Sequence, residues 1–129
     1  MSGETILIIE DNELNSKLVQ DVLNFKGYIT LTSVTAEDGI KIALDQKPNL
    51  ILMDYQLPGM NGLQAFEILR ADPTTSFIPI IAVTASAMIE EQELMRKAGF
   101  DGIHTKPIHI KTFVASIETC LAKSLEKKK

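Results

Sequence analysis

The sequence has a single cysteine and no tryptophan, and aromatic residues make up only 5% of its 129 residues. One cysteine excludes an intrachain disulfide framework and any cysteine-rich metal site. The chain contains no apolar run of roughly 18 residues, so the sequence predicts no membrane-spanning segment. The first residues lack the basic start and the small-residue cleavage site of a signal peptide, which makes the cytoplasm the expected location.

Positive charge is also in short supply, since 13 lysines and arginines face 17 aspartates and glutamates and leave a net charge of −4. Direct DNA binding through bulk positive charge is therefore not expected. Residues 123–129 hold four lysines and are interpreted as a frayed, solubilising tail, with a weak partner-binding tail as the alternative. Residues 1–122 are expected to form one domain, because two domains of about 65 residues each would be marginal for a core.

Three short apolar runs without alternation lie at Ile6–Ile9, Leu50–Met53 and Ile78–Val83. Such runs are typical of parallel strands that helices cover on both faces of the sheet. The segment Tyr28–Thr32 alternates with polar residues, which favours an edge strand. The segment Gly102–Thr105 is a weaker fifth candidate.

Helical periodicity fills the segments between these strands. The apolar stripes are Leu14, Leu18, Val19, Val22 and Leu23; Ala36, Ile40, Ala43 and Leu44; Leu63, Phe66 and Leu69; Met88, Leu94, Met95 and Ala98; and Ile110, Phe113, Val114, Ile117 and Leu121. A strand followed by a helix, five times over, predicts an α/β fold of one domain. We expect a doubly wound parallel sheet of five strands with helices on both faces.

Polar side chains follow four of the predicted strands, and they are Glu10, Asp11, Asp54, Thr84 and Lys106. Ligands of open α/β sheets bind beyond the carboxyl ends of the strands, so we expect these side chains to meet there. Crowded carboxylates would repel one another, and a divalent cation removes that conflict. Oxygen ligands without histidine or cysteine favour magnesium. A lysine on the far side of the pocket and a threonine hydroxyl would then surround a phosphoryl group.

Three of these residues also have an ordinary structural explanation. Asp54 could cap the loop that follows it, Thr84 could cap the next helix, and Lys106 could pair with an acid. Their joint occurrence at four strand ends of one fold nevertheless favours a functional site over four unrelated structural roles.

Four motifs occur in order along the chain: Ile9–Asn12, Met53–Gly62, Val83–Ala85 and Lys106–Pro107. In combination they resemble the receiver domains of response regulators in bacterial two-component signalling, the CheY-like superfamily. The resemblance extends from Thr5 to about Leu121 and implies a flavodoxin-like (βα)5 fold with the strand order 2-1-3-4-5. The stretch from residue 10 to 15 is similar to DivK-like stand-alone regulators and to the receivers of hybrid kinases.

The resemblance implies that Asp54 is the phosphorylated aspartate and that Thr84 and Lys106 contact the phosphoryl group. The phosphoryl group would come from a histidine kinase or a histidine phosphotransfer protein, with Asp54 as the carboxylate nucleophile. The bond between Lys106 and Pro107 is expected to be cis, as is usual at this place in the family.

The resemblance also implies a magnesium site, in which manganese can substitute. Asp11 and Asp54 would contact the ion directly and Glu10 through water. The backbone carbonyl of Gln56 would be a further ligand. No other cofactor is expected.

Gln56 stands where aspartyl-phosphate hydrolases of the haloacid dehalogenase type carry a second aspartate as general acid/base. An amide cannot transfer a proton in that way, so the modified state should persist. We therefore expect a phosphoacceptor switch with at most slow self-dephosphorylation, not an enzyme. A phosphohydrolase, a flavin-binding module and a protein-binding module that works unphosphorylated are the alternatives. The low aromatic content and the lack of a phosphate loop after the first strand disfavour the flavin alternative.

Output is expected through another protein that docks on the last two strands and helices. Thr84 would move toward the phosphoryl group and draw the loop of residues 85–87 with it. Ile103 stands where many family members have an aromatic residue, so this movement is expected without an aromatic rotation. Met88 and Ile89 are interpreted either as core residues or as an exposed docking patch.

Overall fold

The computed structural model describes residues 3–85 and 88–128 of the chain, in which five strands alternate with five helices. The strands are β1 (Thr5–Ile9), β2 (Ile29–Ser33), β3 (Leu50–Asp54), β4 (Ile80–Thr84) and β5 (Gly102–Thr105). The helices are α1 (Glu13–Phe25), α2 (Ala36–Gln46), α3 (Gly62–Ala71), α4 (Ile89–Ala98) and α5 (Ile110–Lys128). No helix within these described ranges is long and apolar enough to span a membrane.

The five strands form one parallel sheet in the order β2-β1-β3-β4-β5. The predicted fold class and the strand order are both confirmed. All five residues of the central strand β3 are buried, whereas β2 at one edge is partly exposed. Strand order reverses between β1 and β3, so the carboxyl ends of these two strands flank the place where such sheets bind ligands.

Helices cover both faces of the sheet, which explains why the central strands lack alternation. Successive side chains of a strand point to opposite faces. On one face Leu7, Ile51 and Met53 pack among buried residues of α2, α3 and α4. On the other face Ile8 and Leu52 pack against α1 and α5. Each face therefore has its own hydrophobic core.

Helix α1 packs against the sheet with only some of the residues in its predicted apolar stripe. Val19 and Leu23 are buried, but Leu14 is 81% exposed and Leu18 is 52% exposed. Both rows have helical spacing, and only the row at positions 16, 19 and 23 meets the sheet. The predicted stripe is therefore buried only in part, and its members Leu14 and Leu18 lie outside the core.

Of the other predicted stripes, that of α5 is buried except at its first residue, whereas that of α4 is mostly exposed. In α5 the four core positions of the stripe are buried, while Ile110 in the first turn is 48% exposed. In α4 only Met95 is buried, and Met88 and Leu94 are both more than half exposed. Leu44 of α2 also reaches solvent.

Helix α5 continues through the segment that the sequence analysis sets apart as a tail. Its backbone is helical to Lys128, so the division at residue 122 does not coincide with the end of a helix. That residues 123–129 fray in solution stays a prediction.

Candidate functional site

At three strand ends, the first residue after the strand still forms a backbone hydrogen bond to the neighbouring strand. These bonds fix the positions of the site residues at the carboxyl end of the sheet. The amide of Glu10 donates to the carbonyl of Ser33 at 2.9 Å, and the amide of Lys106 donates to the carbonyl of Thr84 at 2.8 Å. Next to Asp54, the amide of Tyr55 donates to the β4 backbone at 2.8 Å. Residues from four parallel strands thus leave the same edge of the sheet side by side.

Three of the predicted side chains meet in an ionic cluster. The Nζ atom of Lys106 lies 2.9 Å from Oδ2 of Asp54 and 3.1 Å from Oε1 of Glu10. Both carboxylates are almost fully buried, since Asp54 is 4% exposed and Glu10 is 7% exposed. Buried charges of this kind need a hydrogen-bonded partner of opposite sign, and the lysine supplies it to both acids.

Lys106 lies closer to Glu10 than the sequence analysis expects. It was predicted across the pocket from the acidic pair, but its amine bridges Glu10 and Asp54. The reason is electrostatic: two adjacent buried carboxylates require a positive charge between them, and Lys106 is a cation whose side chain reaches both.

The cluster raises the pKa of both Glu10 and Lys106, for different reasons. Burial raises the pKa of Glu10, and the hydrogen bond from Lys106 offsets only part of that effect. Burial alone would lower the pKa of Lys106, but the hydrogen bonds to Asp54 and Glu10 outweigh it and raise the pKa. The lysine is therefore held in its charged form.

Asp11 adds an exposed carboxylate beside this cluster. One carboxylate oxygen from each of Glu10, Asp11 and Asp54 lies within 4.8 Å of the others, among the residues that the structure describes. Two of these acids are buried and Asp11 is open to solvent. An all-oxygen donor set with one open side suits magnesium, which keeps several of its own waters. The residues present therefore fit the predicted ion.

The ordinary structural roles of these residues are partly present as well. The backbone amide of Gln56 donates to Oδ1 of Asp54 at 2.9 Å, so Asp54 does cap its loop. Lys106 does pair with acids. Thr84 does not cap the next helix, because the N-cap of α4 is Met88. The loop cap and the ion pair therefore orient the two carboxylate oxygens of Asp54, which are also the oxygens of the predicted functional site.

One contact of the site was missed by sequence reasoning, which considered only the backbone carbonyl of Gln56 and its lack of an acidic proton. The Gln56 side chain reaches across to the end of β4. Its Nε2 atom donates to Oγ1 of Thr84 at 2.7 Å, and the backbone amide of Ala85 donates to its Oε1 atom at 3.0 Å. We refer to these two hydrogen bonds as the Gln56 bridge.

The loop after β3 is shaped by a close backbone approach at Gly62. A Cβ atom at this position would lie 2.9 Å from Cα of Tyr55, nearer than side chains tolerate. Asn61 and Gln64 form a reciprocal capping box that starts α3 at the same point. These contacts hold the segment that carries Asp54 and Gln56 against the sheet edge. The predicted cis peptide bond between Lys106 and Pro107 is present.

An apolar surface adjoins the site on the α1 side. Leu14 and Leu18 are exposed on α1, and Ile110 is 48% exposed at the start of α5; we call these three residues the α1 patch. A groove of about 370 Å³ runs beside it, lined by Leu18, Lys106 and Pro107 among others. The apolar surface therefore continues to the lysine of the ionic cluster.

A second apolar surface lies on α4. Met88, Ile89 and Leu94 are 59%, 73% and 57% exposed, and we call them the α4 patch. Of the two interpretations of Met88 and Ile89, the structure supports an exposed patch. Ile103 of β5 packs partly buried against the core on this side. Two residues of the loop that was predicted to move, Ser86 and Ala87, lie outside the described residues.

The sequence is similar to a known protein family and to curated relatives. A family model described as "Response regulator receiver domain" matches residues 6–118. The polar-differentiation response regulator DivK of Brucella anthropi is 38% identical over 118 residues, which cover 92% of this chain and 96% of that protein.

Solved structures agree in fold. A CheY-like response regulator receiver domain from Methanospirillum hungatei superimposes with a TM-score of 0.89 at 26% identity, covering 98% of this chain and 99% of that one. The receiver domain of a sensor histidine kinase from Pseudomonas aeruginosa gives a TM-score of 0.86 at 28% identity, covering 94% and 99%. That crystal structure is described with a magnesium ion coordinated in its active site cleft.

Proposed function

The chain belongs to the response regulator receiver domain family, and from this membership we propose that it is a switch phosphorylated on Asp54. The observation that carries the proposal is the ionic cluster. Lys106 reaches Asp54 at 2.9 Å from a different strand, and two further acids lie beside the same carboxylate. A lysine alone would satisfy a buried structural aspartate, but two further acids repel it and are explained by a bound cation.

The phosphoryl donor is a histidine kinase or a histidine phosphotransfer protein. A carboxylate oxygen of Asp54 attacks the phosphorus of the donor's phosphohistidine, and the phosphorus–nitrogen bond breaks. The released imidazole nitrogen takes up a proton from solvent. The product on this chain is an acyl phosphate with negative charge on three phosphoryl oxygens.

Side chains of this protein receive that charge. Lys106 already lies beside Asp54 and would contact a phosphoryl oxygen. Thr84 is fully buried at the end of β4, and its hydroxyl would donate to another oxygen. Preorganised donors of this type stabilise the transferred group without reorganising at the moment of reaction.

The acidic site of the receiver family binds magnesium, and we propose that this chain does so through Asp11, Asp54 and Glu10. We propose the backbone carbonyl of Gln56 as a further ligand. The hydrogen bond from the backbone amide of Gln56 to Asp54 keeps this residue close to the acidic site, which supports the proposal. The bound ion would supply positive charge to the phosphoryl oxygens. Manganese is expected to substitute for it.

We propose that the protein donor docks on the α1 patch. These apolar side chains are exposed next to the groove that ends at Lys106, so a helix laid on them would bring a histidine near Asp54. Leu14 and Leu18 are more than half exposed, so packing against the sheet does not account for their size. Exposed apolar residues that adjoin a site mark a binding surface more often than isolated ones.

The modified state is proposed to persist and to signal through a second protein. Gln56 lacks the proton that an acid/base catalyst would need, which supports slow self-dephosphorylation. The last two strands and helices are the docking region that we propose for the output partner, and the α4 patch is the exposed apolar part of that region. Direct DNA binding is not part of the proposal, and a cytoplasmic location stays a prediction.

The test is phosphorylation by a small donor. The protein is incubated with phosphoramidate and magnesium, and its intact mass is measured. We expect a gain of one phosphoryl group that EDTA prevents. Asp54→Asn should gain none, whereas Asp45→Asn, at an exposed aspartate on α2, should be labelled like the wild type. A folded wild-type protein that gains no mass, or labelling of Asp54→Asn, would refute the proposal.

A further inference from the structure

The Gln56 bridge joins the phosphoacceptor loop to the residues that follow β4. Its amide orientation is determined by its partners, because the backbone N–H of Ala85 can only donate and must face the amide oxygen. The NH2 group is thereby turned to Thr84, whose hydroxyl oxygen accepts from it at 2.7 Å. A single side chain thus holds two consecutive residues at the end of β4.

The same residue is also tied to Asp54. The backbone amide of Gln56 donates to Oδ1 of Asp54 at 2.9 Å, while its side chain holds Thr84 and Ala85. Gln56 and Thr84 are 28 positions apart, so no local turn accounts for the contact. Asp54 and the end of β4 are therefore connected through one residue.

We propose that Gln56 is a positioning residue that holds Thr84 and Ala85 in the unmodified arrangement and opposes their recruitment by a phosphoryl group on Asp54. The inference rests on the proposed function and adds a regulatory element to it. The Thr84 hydroxyl accepts from Gln56 and can still donate its own proton, but a movement of Thr84 toward the phosphoryl group would stretch this bond. The Ala85 amide is available to a new acceptor only once it leaves the Gln56 oxygen.

Charge explains why the exchange goes forward once Asp54 is modified. A phosphoryl oxygen carries negative charge and is a stronger acceptor than the neutral amide oxygen of Gln56. The Gln56 side chain is exposed, so water can satisfy its released amide groups at small cost. The bridge therefore sets a threshold for activation without blocking it.

The direct test replaces Gln56 by methionine, which keeps the length of the side chain and removes both hydrogen bonds. Beryllofluoride serves as the phosphoryl mimic and is titrated by ¹⁹F NMR in the presence of magnesium. We expect Gln56→Met to bind beryllofluoride about three- to tenfold more tightly than the wild type, the range that two partly exposed hydrogen bonds support. Both proteins are titrated at a magnesium concentration that saturates each of them, measured separately, so that a difference in ion binding does not enter the comparison.

Two comparisons make the result specific. Gln46→Met changes the same residue type at an exposed position at the end of α2, and it should bind beryllofluoride like the wild type. In the unliganded protein, ¹H–¹⁵N spectra of Gln56→Met should show a shifted Ala85 amide with a steeper temperature dependence, as expected when its hydrogen bond is lost.

The outcomes separate the two proposals. If the wild type does not bind beryllofluoride, the proposed phosphoacceptor function fails, and this inference fails with it. If the wild type binds and Gln56→Met binds equally or more weakly, the phosphoacceptor function stands and the opposing role of Gln56 is wrong. Tighter binding by Gln46→Met as well would also overturn it, because the effect would then not belong to the bridge.

Discussion

The amine of Lys106 lies 2.9 Å from Oδ2 of Asp54, although the two residues are 52 positions apart in the chain. The same amine contacts Glu10, which follows directly after β1. One cation therefore pairs with two carboxylates that are almost fully buried. This arrangement makes the site part of the folding energetics as well as of the chemistry, because neither acid can lose its partner without cost.

Replacing Lys106 by methionine should destabilise the protein by about 2 kcal/mol in the absence of magnesium, less than for a fully buried pair because the lysine side chain is partly exposed. Magnesium should then restore more stability to Lys106→Met than it adds to the wild type, because the ion replaces the missing positive charge. Urea unfolding with and without magnesium measures both effects.

The matched control for this variant is Lys17→Met. Lys17 pairs with Asp21 at 3.5 Å on the surface, with side chains 73% and 63% exposed. Such a pair contributes little to stability, so the control should change the free energy of unfolding by less than about 0.5 kcal/mol. Equal losses of unfolding free energy in the two variants would show that the ionic cluster stabilises the fold no more than a surface ion pair does.

Asp11→Asn should weaken magnesium binding by at least about tenfold while leaving the fold intact, because this acid is exposed and its carboxylate is proposed as a direct ligand. Magnesium that binds only the folded state raises stability by mass action, so the variant should need correspondingly more ion for the same shift of the melting temperature. Asp21→Asn, at an exposed acid on α1, should respond like the wild type. An unchanged magnesium titration for Asp11→Asn would remove Asp11 from the ligand set.

Sequence reasoning was most successful for features that follow from burial in a parallel sheet. The runs around Leu7, Leu52 and Ile81 have no alternation because helices cover both faces, and that pattern leads directly to the fold. The strand ends then indicate where Asp54 and Lys106 meet, since parallel strands deliver their carboxyl ends to one edge. Both steps depend on general geometry and not on detailed packing.

Two features could not be read from the sequence for physical reasons. On α1, Leu14 and Leu18 have the same helical spacing as Val19 and Leu23, and only the rotation of the helix on the sheet decides between the rows. The Gln56 bridge depends on the relative position of two loops, which no residue pattern encodes. Propensity and periodicity are local, whereas these contacts are set by tertiary structure.

Leu18→Glu should lower phosphotransfer from a protein donor by about tenfold, which corresponds to about 1.4 kcal/mol of lost binding free energy. Labelling by phosphoramidate should be unchanged, since a small donor does not need the α1 patch. Because Leu18 is 52% exposed, the variant should fold normally. Phosphotransfer from a phosphorylated histidine phosphotransfer protein, followed by radiolabel, measures the first effect.

Phe25→Glu is the control for this surface, because Phe25 is 88% exposed on the same helix but lies at its other end. It should receive phosphoryl groups from the protein donor at the wild-type rate. Equal losses in Leu18→Glu and Phe25→Glu, or a parallel loss with phosphoramidate, would contradict docking on the α1 patch.

The pH dependence of stability should include a contribution from His104 on β5. Its ring packs edge-on against Phe113, with ring centroids 5.3 Å apart, and burial lowers its pKa below 6.5. The unfolded chain therefore binds a proton more readily than the folded protein. The contribution of His104 to the free energy of unfolding is therefore fully present above pH 6.5. It is lost as the pH drops through that value toward the lowered pKa of the folded state. His104→Gln should flatten this part of the curve in urea unfolding between pH 5 and 8. A curve for His104→Gln that falls as steeply as that of the wild type would assign the pH dependence to other groups.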